Sequence, residues 1–583
     1  MELNLKKWYR DWALMSRFFN AGEIAGIAEK LQNMEIENIV YCSFENRFAK
    51  SGGLATVTNN ILPYLKEVNN VSSVSLISPF YPKIMDRSKL KPAGKHFTVP
   101  FHNKIIKAGL YEYTWNYRKP KRGSLKEYYL RAEGFFEAKN SMNDPYVYDE
   151  NDSQINHDTM NENAMFYCKA VPLAMQALGV HENIIFHLQE WQTALLALTS
   201  KEAMLNGTLE SCGTVQTMHN SYDSLIPWRL LSRGVDRPRK KLIAQFPADG
   251  MTAYQLGLQL VDAPVTTVSD NFASEFTKDI LHTRHFAPHL QNIFRKTGVY
   301  GVNNGMFIEL SNEFPEHENH TIDDIHKIKM KNRKALLKIL SSYKPKERFG
   351  EMTYKGKTIL KLPDNVPIIV MSGRLSPLQK GYDILLRAIE NFCIDDIKVV
   401  LTPMTTNPAD LDYFYEIACK RKGNITVFPI RMRKGYHELQ IGSTFGLMPS
   451  IYEPFGAAVE YMANGTVNIG RSTGGLLDQI NSKSGLLFKE DAVFYTLENI
   501  MDFVESDEVV QVRKTNPWVQ SMADNLYDTL KKAIYIYQKN PDKYYRMILN
   551  GFKNVKEFNW ETNVQKYFQV YEKVRKFKKL DIG

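Results

Sequence analysis

Apolar and polar positions repeat one pattern in both halves of the chain: a short apolar run, a turn of small residues, then an amphipathic helix. The pattern is densest from Ser443 to Ile480, STFGLMPSIYEPFGAAVEYMANGTVNIGRSTGGLLDQI. It predicts a strand from Phe445 to Met448, a helix from Gly456 to Ala463, a strand from Val467 to Gly470 and a further helix opening at Thr473-Gly474-Gly475. Pro367 to Gly373 (PIIVMSG) predicts the first strand of the same domain. In the first half, strands are predicted at Ile39 to Ser43, Val74 to Ser78, Ile184 to His187, Gly213 to His219 and Val265 to Ser269. A last strand is expected over 299–307 (VYGVNNGMF), and helices at 161–178 and 329–340. Strand, loop and helix in alternation specify parallel sheets, whose ligands sit beyond the carboxyl ends of the strands.

Three stretches depart from this rhythm. Between 88 and 160 the chain alternates aromatic and polar residues, as in GLYEYTWNYR and KEYYLRA, which predicts β-hairpins and loops inserted in the first domain. Near the N-terminus Leu5, Trp8, Trp12, Leu14, Phe18 and Phe19 lie near helical spacing. Such a face lies on a membrane, on a partner or on its own domain, and packing on its own domain is the expectation. The run from Phe558 onward predicts a capped amphipathic helix.

The 583 residues exceed what one core organises. The expected division is a helical extension over 1–37, an α/β domain over 38–310 carrying the 88–160 insertion, and a connector over 311–366. A second α/β domain over 367–545 and a C-terminal segment over 546–583 that crosses back to the first domain complete it. Hydrophobic content of 44% and 12% aromatics give no reason to expect disorder. The net charge of +10 invites a nucleic-acid partner, but the basic residues form no run and no stripe interleaved with aromatics. They read as solvated helix faces, leaving a bias toward phosphorylated small molecules. The five cysteines, at 42, 168, 212, 393 and 419, are far apart and form no CxxC pair. That usage suits reduced thiols in a cytoplasmic protein, with no disulfide frame and no metal site. The N-terminus lacks an unbroken apolar segment, and no run approaches the ~18 apolar residues that cross a bilayer.

Candidate chemistry collects at the ends of predicted strands. Thr473-Gly474-Gly475 would present bare amides at a helix start, where peptide dipoles favour an anion; a tight turn is the alternative reading. Lys50-Ser51-Gly52-Gly53-Leu54 repeats the arrangement after the first strand, with a mobile cation added. Arg374 and Lys380 follow the first strand of the second domain, a planar fork and a point charge suited to a diphosphate. His187 and His219-Asn220 close two successive strands. Each histidine could be a satisfied core residue, and their common position is what marks them as crevice-lining.

In order, Lys50-Ser51-Gly52-Gly53-Leu54, His187-x-x-Glu190-Trp191, His219-Asn220, VTTVSDNFASEF, GVNNG, GRLSPLQKG, MPSIYEPFG, RSTGGLLDQ and FNWE resemble the landmarks of the glycogen and starch synthases. The resemblance implies the GT-B fold, two Rossmann-like parallel-sheet domains facing across a deep cleft. It implies retaining transfer of glucose from ADP-glucose or UDP-glucose to the non-reducing end of an α-1,4-glucan, without metal or cofactor. By the same resemblance Glu453 binds hydroxyls of the donor sugar and is catalytic together with Arg374 and Lys380. The helix start at Gly456 supports Glu453, and His187, His219 and Asn220 line the sugar side. Among the chain's departures from the family pattern, Gln189 replaces a histidine expected to touch the donor sugar, Glu190 stands where an aspartate is usual, Thr56 replaces an expected carboxylate, and the spacings Arg374–Lys380 and Glu453–Thr473 differ by one residue. These departures leave open a related transferase with another sugar or acceptor, or a glucan- or nucleotide-binding regulator.

Overall fold

A computed structural model describes residues 12–50, 52–68, 71–137, 158–236, 250–308, 311–314, 320–342, 362–376, 379–393, 396–404, 425–427, 434–505 and 515–576, with isolated residues and short pairs outside those runs. The chain forms two compact units, one of Met1–Phe307 with Trp560–Gly583, the other of Ile308–Asn559.

The first unit is built on a nine-stranded sheet. Its strands are Asn38–Cys42 (β1), Ser73–Pro79 (β2), Lys91–Phe101 (β3), Lys104–Tyr117 (β4), Gly123–Ala132 (β5), Ile184–Gln189 (β6), Cys212–Met218 (β7), Val265–Thr267 (β10) and Val299–Gly301 (β11). A two-stranded ribbon of Leu225–Ile226 (β8) and Met251–Thr252 (β9) stands apart from it. The order is β11-β10-β7-β6-β1-β2-β5-β4-β3. From β11 to β5 every pairing is parallel; β4 and β3 add an antiparallel edge. β6 and β7 are buried at every position, as central strands covered on both faces must be. The aromatic stretch expected as an insertion therefore widens the sheet itself: β5 pairs directly with β2, because its alternate residues Leu125, Glu127 and Tyr129 are buried. The polar part of that stretch, 138–157, lies outside the described residues.

The last strand of this unit is shorter than expected. It stops at Gly301, and the Asn-Gly run that follows turns instead of pairing. Trp560, at the start of the helix Trp560–Tyr571, fills that turn: its ring leaves no room for a side chain at 305, and its Nε1 donates to the Met306 carbonyl (2.9 Å). The helix Ala21–Asn33, closed by a capping box from Asn20 and Glu23, buries Ile24, Ile27 and Leu31 in the same unit. Arg10 and Lys201 both bond the fully buried Asp262 (3.0 and 2.9 Å).

The second unit has a seven-stranded sheet in the order β14-β17-β16-β15-β18-β19-β20. These are Lys355–Gly356 (β14), Ile368–Arg374 (β15), Lys398–Met404 (β16), Ile425–Val427 (β17), Phe445–Met448 (β18), Val467–Arg471 (β19) and Gly485–Phe488 (β20). A separate pair, Arg348–Phe349 (β12) and Met352–Thr353 (β13), precedes them. All pairings from β17 to β20 are parallel, and β14 is antiparallel. The stretch 311–366, expected as a connector, carries the helix Ile322–Ser342. Its Leu336 and Leu340 enter the core of this unit beside Ile368, Val370 and Tyr461. Among the described residues no helix is long and apolar enough to cross a membrane.

Candidate active site

In the second unit the carboxyl ends of β15, β18 and β19 deliver three loops to one place. Glu453, nearly buried on the loop after β18, takes both of its oxygens to Lys380 Nζ (3.0 and 2.7 Å) and accepts from Ser450 Oγ (2.8 Å). Lys380 closes a turn whose residues 379 and 380 both donate to the Ser376 carbonyl. The next residue must be glycine, with φ 66° and a would-be Cβ only 2.0 Å from the Pro449 carbonyl. Arg374 ends β15 and is exposed. Gly456 lies at the turn between Glu453 and the helix Ala458–Ala463. On that helix burial pushes the Glu460 carboxyl up to about 7.

Structure corrects the expectation of bare amides at Thr473-Gly474-Gly475. Thr473 N–H donates to the Arg471 carbonyl (2.9 Å), and Gly475 N–H donates to the Glu453 carbonyl (2.8 Å). Glycine is required at 475 by proximity: a Cβ there would lie 2.4 Å from the Phe455 carbonyl oxygen. The small residues serve a close approach of two protein loops.

The helix start in the first unit is corrected in the same way. Gly53–Val68 is a helix of 16 residues, and Lys50 and Gly53 before it are exposed. Two of the amides at its start meet this chain's own carboxylate: Glu45 Oε2 accepts from Gly52 N–H (2.8 Å) and Ala55 N–H (3.2 Å). An anion does sit at the helix start, as the dipole favours, but it is a side chain from seven residues upstream. That distance matches no capping spacing, so the pattern of residues could not reveal it.

His187 does not line a crevice. It is fully buried at the middle of the sheet, with Nε2 at 2.7 Å from Thr217 Oγ1 and Nδ1 at 2.9 Å from the Tyr571 hydroxyl. Tyr41 and Tyr567 pack on its ring, and desolvation drives its pKa down to about 3. It is a satisfied core histidine. The reason is its place inside β6, whose last residue is Gln189, two further along.

Past that end the expected residues do assemble. His219 Nε2 donates to Gln189 Oε1 (2.8 Å), and His219 N–H and Asn220 Nδ2 both donate to Glu190 Oε1 (3.1 Å each). Tyr254 OH donates to Glu190 Oε2 (3.2 Å). Burial holds the His219 imidazole at about 3, so it is neutral at pH 7. Glu190, which organises this cluster, was visible in the sequence only as the acid of a divergent motif. Its backbone at φ 62°, ψ 174° is outside the regions favoured by non-glycine residues, a strain of ~1–3 kcal/mol that gathers at functional sites.

Desolvation, helped by the nearby Glu45, pushes the Glu190 carboxyl up from 4.5 to about 8 against the pull of its donors. The folded state therefore binds more protons than the unfolded chain between those values, and its stability falls as pH rises through them. Glu190→Gln keeps an acceptor for His219 N–H and removes this slope. Melting curves at pH 5 and pH 9 should show the variant gaining on the native protein at the higher pH. An equal difference at both would exclude Glu190 as the source.

Two Rossmann-like units, the second carrying a lysine–glutamate pair at its strand ends, are those of the GT-B fold class. Residues 38–296 match the family described as starch synthase catalytic domain, and residues 355–516 match glycosyl transferases group 1. The chain is 27% identical over 556 residues to a glycogen synthase from Pseudothermotoga lettingae, covering 90% of this chain and 96% of that one. It is 25% identical over 546 residues to a glycogen synthase from Lactococcus lactis subsp. lactis, covering 90% and 98%. In structure it resembles the catalytic domain of starch synthase IV from Arabidopsis thaliana bound to ADP and acarbose, with a TM-score of 0.68, 18% identity, and coverage of 93% and 100%. Over 38–296 and 355–516 the chain thus carries regions similar to those two families, and along most of its length it is similar to glycogen synthases.

Proposed function

We propose that this protein transfers glucose, with retention, from a nucleoside-diphosphate glucose to the non-reducing end of an α-1,4-glucan. The observation that carries the reading is the Lys380–Glu453–Ser450 cluster at the strand ends of the second unit. Breaking the sugar–phosphate bond builds negative charge on the departing diphosphate. Lys380 and the exposed Arg374 meet that charge, and preorganised donors of this kind are worth ~2.7–4 kcal/mol each in other enzymes. Glu453 accepts hydrogen bonds from the donor sugar, with Gly456 at the turn behind it. The Gly475 amide holds the backbone of that turn through the Glu453 carbonyl, and in the first unit Lys50, beside Gly52 and Gly53, is exposed. In the first unit His219, Asn220 and Gln189 present polar edges suited to sugar hydroxyls, ordered by Glu190. Starch synthase IV, bound to ADP and acarbose, supports an adenine nucleotide and a glucan-like ligand as the chemistry to try first.

The test is release of nucleoside diphosphate from ADP-glucose and from UDP-glucose, each with and without glycogen. Release that depends on glycogen with at least one donor is the expected result. A protein that binds nucleotide yet releases none from either donor would overturn the proposal.

A further inference from the structure

The loop that carries Glu453 is fastened in a regular way. Its carbonyls at 451, 453 and 455 each accept a hydrogen bond from one segment, 471–479. Arg471 Nη1 donates to Ile451 (2.5 Å), Gly475 N–H to Glu453 (2.8 Å) and Gln479 Nε2 to Phe455 (2.6 Å). The three donors are a side chain at the end of β19, a backbone amide in the first turn of the helix Gly474–Gln479 and the side chain of that helix's last residue. The far end is closed again by Val459 N–H donating to Gln479 Oε1 (3.3 Å).

Arg471 is itself held. Its Nε and Nη2 bond both oxygens of Glu490 (2.8 and 2.7 Å), and its guanidinium lies by the rings of Trp518 and Tyr495. Ile451 is held through its other main-chain group too, its N–H donating to the carbonyl of residue 379, immediately before Lys380. One residue thus ties the lysine loop to the glutamate loop. A buried arginine–glutamate pair is weak grounds for stability, since apolar residues of like volume often serve as well. Its place at the Ile451 carbonyl supplies another reason for it.

We infer that Arg471 and Gln479 are positioning residues, the two ends of a strap that sets the Glu453 carboxylate against Lys380 for transfer. This rests on the function proposed above. Without the strap Glu453 keeps its charge and its partner but loses its fixed place, and misplacement by ~1 Å costs roughly 10²-fold in rate.

The test is the pair Arg471→Met with Glu490→Met, which keeps the volume between the two rings and removes the bond to Ile451. Gln479→Met, acting at the other end, is the second variant in case the pair does not fold. Turnover, donor KM and the Kd and stoichiometry of the product nucleotide are measured beside Glu453→Ala. The expected result is kcat lower by about 10²-fold for the pair and about tenfold for Gln479→Met, with nucleotide Kd within threefold and stoichiometry intact. Arg471→Lys with Glu490 retained recovers at least a tenth of native kcat. Turnover within threefold of native in both strap variants, beside an inactive Glu453→Ala, overturns the strap alone. A fall in kcat that merely follows lost binding stoichiometry also overturns it, as a folding defect. If Glu453→Ala turns over like the native protein, the reading of the site falls and the strap with it.

Discussion

Lys380→Met and Glu453→Gln should both lower glucan-dependent turnover, by about 10²–10³-fold, and should move nucleotide affinity in opposite directions. The two side chains neutralise each other in the structure, with both carboxylate oxygens on one ammonium. Methionine at 380 removes a cation that would otherwise meet the diphosphate and leaves Glu453 to repel it, so nucleotide binding weakens. Glutamine at 453 keeps an acceptor for Lys380 and a partner for Ser450 Oγ but removes the charge, so Lys380 is freer to bind phosphate and nucleotide binding tightens. Calorimetric titration of ADP and UDP, with steady-state rates on the same preparations, checks both signs. Equal weakening of nucleotide by both variants would show that the pair acts as a structural bridge only.

The second large effect is on stability. Lys329→Met is expected to destabilise the second unit by roughly 3 kcal/mol or more. Lys329 Nζ is buried, and among the described residues no carboxylate pairs with it; it donates to the carbonyls of Ile441 (2.7 Å), Ser443 (2.6 Å) and Gly465 (2.7 Å), and to Thr466 Oγ1 (3.2 Å). Those carbonyls lie at the carboxyl ends of the helices Tyr436–Gly442 and Ala458–Ala463, where the aligned dipoles are negative, so one ammonium caps both. Methionine fills the space, leaves the Ser443 carbonyl only its long bond from Thr466 Oγ1 (3.3 Å) and strands the Ile441 and Gly465 carbonyls away from water, at ~1–3 kcal/mol each, offset in part because no charge is then buried. At roughly 2–4 °C per kcal/mol for a domain of this size, the melting temperature should drop by about 6–12 °C.

The pH dependence has a definite sign. Burial holds the Lys329 pKa well below 10.5, so the unfolded chain binds more protons between the folded value and 10.5, and native stability rises with pH there. The methionine variant lacks that rise. A melting temperature within 2 °C of native at neutral pH would show that the carbonyls find other donors.

Local pattern carried most of the elements. The strand over Phe445–Met448 coincides with its prediction, because four apolar residues between a small polar pair and a Pro-Ser turn have few other uses. Arg374, Lys380 and Glu453 stood out for the same reason: charged residues directly after buried strands must be at strand ends. The failures share a cause as well. Helix-start amides attract an anion whatever its source, and spacing cannot distinguish a ligand's phosphate from Glu45 or from the Glu453 carbonyl. His187 was read by its position near a strand end, yet the chain goes on two residues inside the sheet, and Tyr571, 384 residues later, seals the ring.

The sequence by itself determined the two parallel-sheet units, the order of their strands along the chain and the residue types gathered at their carboxyl ends, since these follow from local periodicity and backbone preference. Only the tertiary structure decided which donor meets which acceptor: Glu45 on its helix, Glu190 among His219, Asn220 and Tyr254, and Arg471, Gly475 and Gln479 on alternate carbonyls of the Glu453 loop. A hydrogen-bonding group carries no address in the chain, and its partner is chosen by the packing that brings the two within 3 Å.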